Sequence, residues 1–262
     1  KFDIAIAMKE GPCMKDIANR NAKKHYGWVH VDYRYIYWTL GTFSSAENEL
    51  KCFQQMDKVI CVSQATANGV VKTIGDSGNL VVCYNPIDVA RIQHMAKEKC
   101  TYSRDNNKPL FVSVGRLAKE KQFSMLLEAC KCLSEKYEFE LWLIGDGPER
   151  EKLRTMVEQR KIGCVKLLGA KENPYPYMKQ ADCFISSSIA ESYGLAIQEA
   201  MILGIPVLVT ECPAMWETVP EDCGVISPNN VEGLLDSMEM ILNEPKYLEC
   251  LRSNIRTRFD TK

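Results

Sequence analysis

The sequence predicts an α/β protein with two units, each built on a parallel sheet that helices cover. The first observation is a series of short, β-branched apolar runs, most of them continuous, which is typical of strands covered on both faces. The second is a set of amphipathic helical patterns between these runs, for example at 124–137 and 148–160. Strand–helix alternation of this kind indicates an open parallel sheet. The predicted strands span 3–8, 26–31, 58–62, 80–84, 110–114, 139–144, 164–168, 181–186, 205–209 and 223–226.

A turn and a polar linker predict the boundary between the two units. The turn is "YNPID", which ends a strand near residue 85, and the linker is "SRDNNKP" at 103–109, before a new strand at "LFVSVG". We predict an incomplete N-terminal Rossmann-like domain at 1–103, a nearly whole one at 104–245 and a C-terminal helix at 246–262. Because the sequence begins with Lys1 and the first predicted strand begins at residue 3, we expect that the start of a longer protein precedes it.

The composition favours a soluble globular protein of the cytoplasm. The chain is 46% hydrophobic and 26% charged, and its net charge of −1 creates no field that would attract nucleic acid. The 12 cysteines are scattered without metal-ligand spacing, which favours reduced thiols. No apolar run approaches the ~20 residues that span a bilayer. A slight basic excess in the first hundred residues leaves open a peripheral contact with anionic lipid on the inner face of the plasma membrane.

Two cations follow the strand predicted at 110–114. Gly115 allows a tight turn off this strand, and Arg116 and Lys121 precede the next helix in "GRLAKEKQ". Ligands of an open parallel sheet bind at the carboxyl ends of its strands. An Arg fork together with a Lys point charge suits a diphosphate. The alternative is a pair of solvated loop cations.

A glycine-containing turn follows the next strand. In "IGDGPER", Gly145 and Gly147 permit a ligand to approach the backbone, and Pro148 suits the first position of a helix. The alternative is an ordinary tight turn. No third glycine completes a dinucleotide-binding fingerprint, so a nicotinamide dehydrogenase is disfavoured.

Two glutamates flank a turn in "ESYGLAIQE", residues 191–199. Gly194 lies at a helix start, where backbone N–H groups and the positive end of the helix dipole favour a phosphate. Glu199 lies in the second turn beside small residues, so its carboxylate needs donors, which the vicinal hydroxyls of a ribose can supply. Glu191 stands before the turn, nearer the reaction centre. The alternative is two surface carboxylates.

These motifs, in this order and spacing, resemble the retaining glycosyltransferases of family four. The segments that carry the resemblance are "GRLAKEKQ", "IGDGPEREKL", "LLG" and "ESYGLAIQEAMILGIPVLVT". In the first unit, "GWVHVDY", "KVICVSQATANGV" and "YNPID" are similar to the second half of that family's acceptor-binding domain. The resemblance implies the GT-B fold, in which two Rossmann-like domains face a cleft. The detailed sequence of the motifs is similar to that of bacterial capsule, exopolysaccharide or lipopolysaccharide enzymes.

The resemblance implies a role for each donor-binding residue. Arg116 and Lys121 would bind the diphosphate, with help from N–H groups near Gly194 and Leu195, and Glu199 would hold the ribose hydroxyls. The other positions that we assign to donor binding are Gly115, Gly145 and Tyr193.

The resemblance also implies two catalytic residues. Glu191 would contact the transferred sugar near its anomeric centre, and His30, at the end of "WVHV", would reach across the cleft towards that sugar. Without the resemblance, His30 is more simply a strand-end histidine whose hydrogen bonds are satisfied within the fold.

The chain departs from the family at two points. Gln122 stands where a glycine usually follows Lys121, and the family's first strands with their glycine-rich loop are absent. No D-x-D motif is present to hold a divalent metal, so we expect no metal and no cofactor, with the two cations in the metal's place.

The predicted function is transfer, with retention, of a sugar from a nucleoside diphosphate sugar, a UDP-sugar by preference, to a glycan or lipid-linked saccharide acceptor in cell-surface polysaccharide synthesis. The alternative from another class is a non-catalytic module that binds a sugar nucleotide or a protein partner. An epimerase or phosphorylase of the same fold is a minor alternative, and a phosphorylase would need a pyridoxal phosphate lysine that we do not find.

Overall fold

The structure is a computed structural model, and it describes residues 2–259. A strand lies at each of the ten predicted places, and most bounds move by only one or two residues. The second strand is the exception, since it begins at Ala22 rather than at residue 26. Pairing with the first strand extends it through the two lysines before "HYGWV". The strands β1 to β10 are Phe2–Ala7, Ala22–Val29, Lys58–Cys61, Leu80–Val82, Leu110–Val114, Glu140–Ile144, Val165–Gly169, Cys183–Ser186, Val207–Thr210 and Gly224–Ser227.

Helices connect these strands, as the sequence predicts. A 3₁₀ helix at Lys119–Lys121 follows β5. The α-helices α1 to α12 are Pro12–Ala18, Leu40–Phe43, Ala46–Gln54, Gln64–Ile74, Val89–Met95, Phe123–Leu133, Arg150–Gln159, Tyr175–Met178, Leu195–Ile202, Met215–Thr218, Val231–Asn243 and Pro245–Phe259. The predicted terminal helix is therefore present as α12, and residues 260–262 of that prediction lie outside the described residues.

All strand pairs in both sheets are parallel. The first sheet has the order β1-β2-β3-β4 and the second has the order β10-β9-β8-β5-β6-β7. Parallel pairing places the carboxyl ends of the strands at one edge of each sheet, and helical crossovers cover the faces. Strands such as β6 and β9 are buried throughout, which explains their continuous apolar runs.

The chain forms two compact units. Unit 1 contains Lys1–Pro86 and Ala190–Tyr193, and unit 2 contains Ile87–Ile189 and Gly194–Lys262. The division lies at residue 86, whereas the sequence places it after residue 103. The reason is that the segment between is bonded to unit 2, where Asn173 Nδ2 donates to the carbonyl of Met95 at 2.9 Å and Thr101 Oγ1 lies 2.6 Å from Tyr177 Oη.

Each unit has its own hydrophobic core. In unit 1, residues such as Met14, Phe53 and Val70 are fully buried between the sheet and its helices. In unit 2, Phe111, Leu126 and Leu141 belong to a larger core that joins the sheet to α6, α7 and α11. Among the described residues, no helix is both long and apolar enough to cross a lipid bilayer.

Candidate functional site

The loops that follow β5 and β6 touch each other through glycine. The N–H of Gly115 donates to the carbonyl of Ile144 at 3.0 Å, and the N–H of Leu117 donates to the carbonyl of Asp146 at 2.9 Å. Gly145 has φ 152°, and a Cβ at this position would lie 1.8 Å from the carbonyl oxygen of Gly115. Only glycine fits such an approach, so two adjacent strand ends are held in one rigid backbone surface.

The two predicted cations lie on the segment that leaves this surface. Arg116 is exposed, and Lys121 is half-buried at the end of the 3₁₀ helix. This helix is attached to the end of β8, because Ser187 Oγ donates to the carbonyl of Lys121 at 2.7 Å and the N–H of Ile189 donates to the carbonyl of Glu120 at 2.9 Å. The backbone that presents both cations is therefore fixed by the ends of three strands, β5, β6 and β8.

Gln122 adopts the left-handed conformation, with φ 48° and ψ 35°. A side chain with a Cβ is strained there by about 1–2 kcal/mol, which accounts for the glycine that the resembling enzymes use at this position. The carbonyl of Gln122 still accepts from the N–H groups of Met125 and Leu126 and so begins α6. Gln122 thus keeps the conformation of the loop but leaves its backbone strained.

A pair of variants measures this strain. We expect Gln122→Gly to be more stable than Gln122→Ala by about 1 kcal/mol, because glycine removes the Cβ strain at the cost of a more flexible unfolded chain. The measurement is urea-induced unfolding of both variants. Thr155, exposed in the middle of α7, provides the control, since glycine should there be less stable than alanine by about 1 kcal/mol. Equal stability of the two Gln122 variants would contradict the strain.

Helix α9 begins at a glycine and has no side-chain cap. Gly194 has φ 74° and ψ 54°, and an added Cβ would lie 2.9 Å from Ile197 Cδ1. The carbonyl of Gly194 accepts from the N–H groups of Ile197 and Gln198. Leu195, the first helical residue, is 46% exposed. The N-terminal turn of α9 therefore offers backbone N–H groups and a positive dipole end that can bind an anion.

Glu199 lies one turn further along α9 and is half-buried. Its Oε1 accepts a hydrogen bond from Tyr175 Oη at 3.1 Å. Desolvation raises the pKa of Glu199, and the bond from Tyr175 opposes this rise. Burial and the neighbouring Glu199 charge raise the pKa of Tyr175 to about 12, so the phenol stays protonated at neutral pH and donates to the carboxylate.

His30 directly follows β2 in unit 1, and the fold satisfies two of its groups. Its backbone N–H donates to Glu10 Oε2 at 2.9 Å, and its Nε2 donates to the carbonyl of Met8 at 3.0 Å. Glu10 is fully buried, and its Oε1 accepts from Trp38 Nε1 at 3.0 Å. Because a carbonyl can only accept, Nε2 carries the proton and Nδ1 is the ring nitrogen that can accept from a ligand.

The residues Ala190–Tyr193 group with unit 1, although the sequence assigns them to the second domain. The ring of Tyr193 stacks on the ring of Tyr84, with centroids 5.6 Å apart and an interplanar angle of 28°. Glu191 lies in this segment and is half-buried. Tyr193 thus joins the short segment to the chain that follows β4.

The structure distributes the predicted site residues between the two units. Unit 1 holds His30, Glu191 and Tyr193, and unit 2 holds the donor-binding positions Gly115, Arg116, Lys121, Gly145, Gly194, Leu195 and Glu199. Sequence reasoning missed Tyr175 and Glu10, since each acts through a partner far away in the chain. Within residues 2–259, no group of three His, Cys, Asp or Glu side chains is placed to hold a metal ion.

A family model described as "Glycosyl transferases group 1" matches residues 95–258, which is more than half of the chain. The match begins within α5 and runs to the last turn of α12. It therefore contains the loops after β5 and β6, the short helix α8 and all of α9.

Two curated relatives are glycosyltransferases of bacterial polysaccharide synthesis. Lipopolysaccharide core biosynthesis glycosyltransferase LpsE of Rhizobium meliloti is 27% identical over 199 residues, which cover 74% of this chain and 56% of the relative. O-antigen biosynthesis glycosyltransferase WclY of Escherichia coli is 27% identical over 185 residues, which cover 69% of this chain and 50% of the relative. The chain thus spans about half the length of these relatives.

Two solved structures share the fold. HepE of Anabaena in complex with UDP-glucose superimposes with a TM-score of 0.78 at 18% identity, over 98% of this chain and 75% of that one. Sucrose-phosphate synthase of Thermosynechococcus elongatus superimposes with a TM-score of 0.80 at 18% identity, over 98% of this chain and 68% of that one. At this level of identity the likeness concerns the fold alone.

Proposed function

The chain belongs to the family of group 1 glycosyl transferases and has the GT-B fold, and on that premise we propose that it binds a nucleoside diphosphate sugar and transfers the sugar with retention. The main support for the proposal is the backbone surface that the ends of β5, β6 and β8 form in unit 2. There Gly115 and Gly145 meet, Arg116 is exposed beside them, and the backbone of Lys121 is bonded to the end of β8.

The diphosphate is the part of the donor that this surface suits best. Arg116 offers a planar fork of donors and Lys121 a point charge, and both are suited to phosphate oxygens. The uncapped N-terminal turn of α9, at Gly194 and Leu195, adds backbone N–H groups. When the bond to the sugar breaks, negative charge grows on the leaving diphosphate, and these groups stabilise it.

The two glutamates are assigned to the ribose and to the transferred sugar. Glu199 is half-buried and keeps its carboxylate available to hydroxyl donors, so we assign it to the ribose. Glu191 and His30, both in unit 1, are assigned to the transferred sugar, with His30 Nδ1 as the accepting atom. Retention then proceeds on one face of the sugar, with the departing phosphate accepting the proton of the acceptor hydroxyl.

We place this activity in cell-surface polysaccharide synthesis in the cytoplasm, with a UDP-sugar as donor. The names of the relatives LpsE and WclY support the process, and the UDP-glucose bound by HepE supports the base. The acceptor is a glycan or a lipid-linked saccharide, and a peripheral contact with the membrane would bring a lipid-linked acceptor to the site. The proposal requires no metal and no cofactor, because the two cations neutralise the diphosphate.

One alternative has an observation in its favour. The glycines and cations assigned to the diphosphate, and Glu199, all lie in unit 2, so this unit can be a module that binds a sugar nucleotide without transferring the sugar. Transfer assays distinguish the two functions, since both require binding and only one requires turnover.

The test is a thermal-shift panel of UDP-, GDP- and ADP-sugars against the protein. A ligand at 100 times its Kd stabilises the folded state by about 2.7 kcal/mol, which corresponds to a rise in Tm of about 5–10 °C. We expect a UDP-sugar to give this rise and Glu199→Gln to reduce it by about half or more, since a 10-fold loss of affinity leaves about 1.4 kcal/mol. The control is Glu158→Gln, which removes an exposed carboxylate on α7 and should leave the rise unchanged.

Two outcomes decide against the proposal. No rise in Tm with any nucleotide sugar would overturn donor binding altogether. A rise without release of nucleoside diphosphate, in the presence of acceptor lipids or glycans from cell envelopes, would favour the non-catalytic module.

A further inference from the structure

The donor side of the site contains a tyrosine that the sequence motifs do not include. Tyr175 Oη donates to Glu199 Oε1 at 3.1 Å. Within residues 2–259, no hydrogen bond reaches the other carboxylate oxygen, Oε2. The bond therefore occupies one side of the carboxylate and leaves the other side for a ligand.

A hydrogen bond from the backbone N–H of Tyr175 fixes the position of this residue. Tyr175 begins the one-turn helix α8, and its N–H donates to Asn173 Oδ1 at 3.2 Å. Asn173 Nδ2 donates in turn to the carbonyl of Met95 at 2.9 Å and to Glu98 Oε2 at 2.9 Å. The position of Tyr175 is thus tied to the end of α5, so its hydroxyl does not need to be ordered when a ligand binds.

The chemistry of the pair makes the hydroxyl the donor and the Glu199 carboxylate the acceptor. A protonated phenol beside a half-buried carboxylate donates its single hydrogen, and the strongest acceptor within reach is the carboxylate. This fixes the rotation of the Glu199 side chain about its last bond. A carboxylate held in one plane can accept from the two adjacent hydroxyls of a ribose at once, whereas a rotating carboxylate must lose that freedom on binding.

We propose that Tyr175 is a positioning residue that orients Glu199 to accept both hydroxyls of the donor's ribose, and that it thereby makes the site select ribose over 2′-deoxyribose. The inference rests on the proposed function, in which Glu199 binds the ribose. Tyr175 acts through Glu199 and has no part in the transfer step.

The experiment compares the affinities of UDP and 2′-deoxy-UDP for three proteins by calorimetry. We expect the wild type to bind UDP about 10-fold more tightly than 2′-deoxy-UDP, because the deoxy ligand lacks a hydrogen bond to a charged group. In Tyr175→Phe, UDP should bind about 5- to 10-fold more weakly while 2′-deoxy-UDP changes less than twofold, so that the preference disappears. GDP and 2′-deoxy-GDP replace this pair where the thermal-shift panel selects a guanosine donor.

Tyr177→Phe is the matched control. Tyr177 lies in the same helix, and its hydroxyl is 2.6 Å from Thr101 Oγ1. Its loss should lower the Tm and leave the preference for ribose at its wild-type value.

The contrary outcomes distinguish failure of the proposal from failure of the assignments on which it rests. An unchanged preference in Tyr175→Phe overturns the proposal, and so does an equal weakening of both ligands, which would reveal a merely structural role. A wild type that binds both ligands equally overturns the ribose assignment of Glu199, and the role of Tyr175 with it. A wild type that binds neither nucleotide overturns the proposed function itself.

Discussion

Replacement of Arg116 by alanine is expected to weaken the binding of a nucleoside diphosphate by about 10- to 100-fold and to slow sugar transfer by about 10²-fold or more. The first effect follows from the loss of charge-assisted hydrogen bonds worth about 1.5–3 kcal/mol. The second is larger because charge on the diphosphate grows as it leaves. Lys121→Ala should act in the same direction. Calorimetry with UDP measures the first effect, and a transfer assay with the nucleotide sugar selected by thermal shift measures the second.

The structure supplies a matched control for both cations. Lys119 is an exposed lysine at the start of the same 3₁₀ helix that ends at Lys121. Lys119→Ala removes the same charge and should change both quantities less than twofold. If Arg116→Ala and Lys121→Ala also left binding and transfer unchanged, the diphosphate would have to be bound elsewhere.

Gly145→Ala is expected to have the largest effect on stability, lowering the free energy of unfolding by about 3–5 kcal/mol. The added Cβ would lie 1.8 Å from the carbonyl oxygen of Gly115, so the backbone of two loops must move apart. Overpacking costs about 1–3 kcal/mol and a backbone conformation at φ 152° costs a similar amount for alanine. Thermal unfolding should show a fall in Tm of about 10 °C or more.

Gly163→Ala is the corresponding control. Gly163 is exposed, and nothing lies within 4 Å of the position its Cβ would take. The substitution should change the free energy of unfolding by less than about 0.5 kcal/mol. A Gly145→Ala protein as stable as Gly163→Ala would mean that the loops after β5 and β6 do not meet as closely as described.

The order of the elements could be predicted from the sequence because it depends on local patterns. Continuous apolar runs such as "ELWLI" mark strands buried on both faces, and β6 occupies those residues. The prediction for the start of β2 was wrong for a physical reason: Lys23, Lys24 and His25 interrupt the apolar pattern, and only their pairing with β1 makes them part of a strand. The domain boundary differs for a related reason, since Met95 and Thr101 are bonded to Asn173 and Tyr177, which lie far away in the chain.

The sequence by itself determined the strand–helix alternation, the turn glycines and the motif residues Arg116, Lys121, Glu191 and Glu199, because each depends on neighbours along the chain. Only the tertiary structure decided which distant groups form hydrogen bonds with such residues and with His30. Tyr175 reaches Glu199 across 24 positions, Ser187 reaches Lys121 across 66, and Glu10 reaches His30 across 20. Such contacts leave no periodic mark in a single sequence, because they depend on the order in which parallel strands enter the sheet and on the edge at which their ends meet.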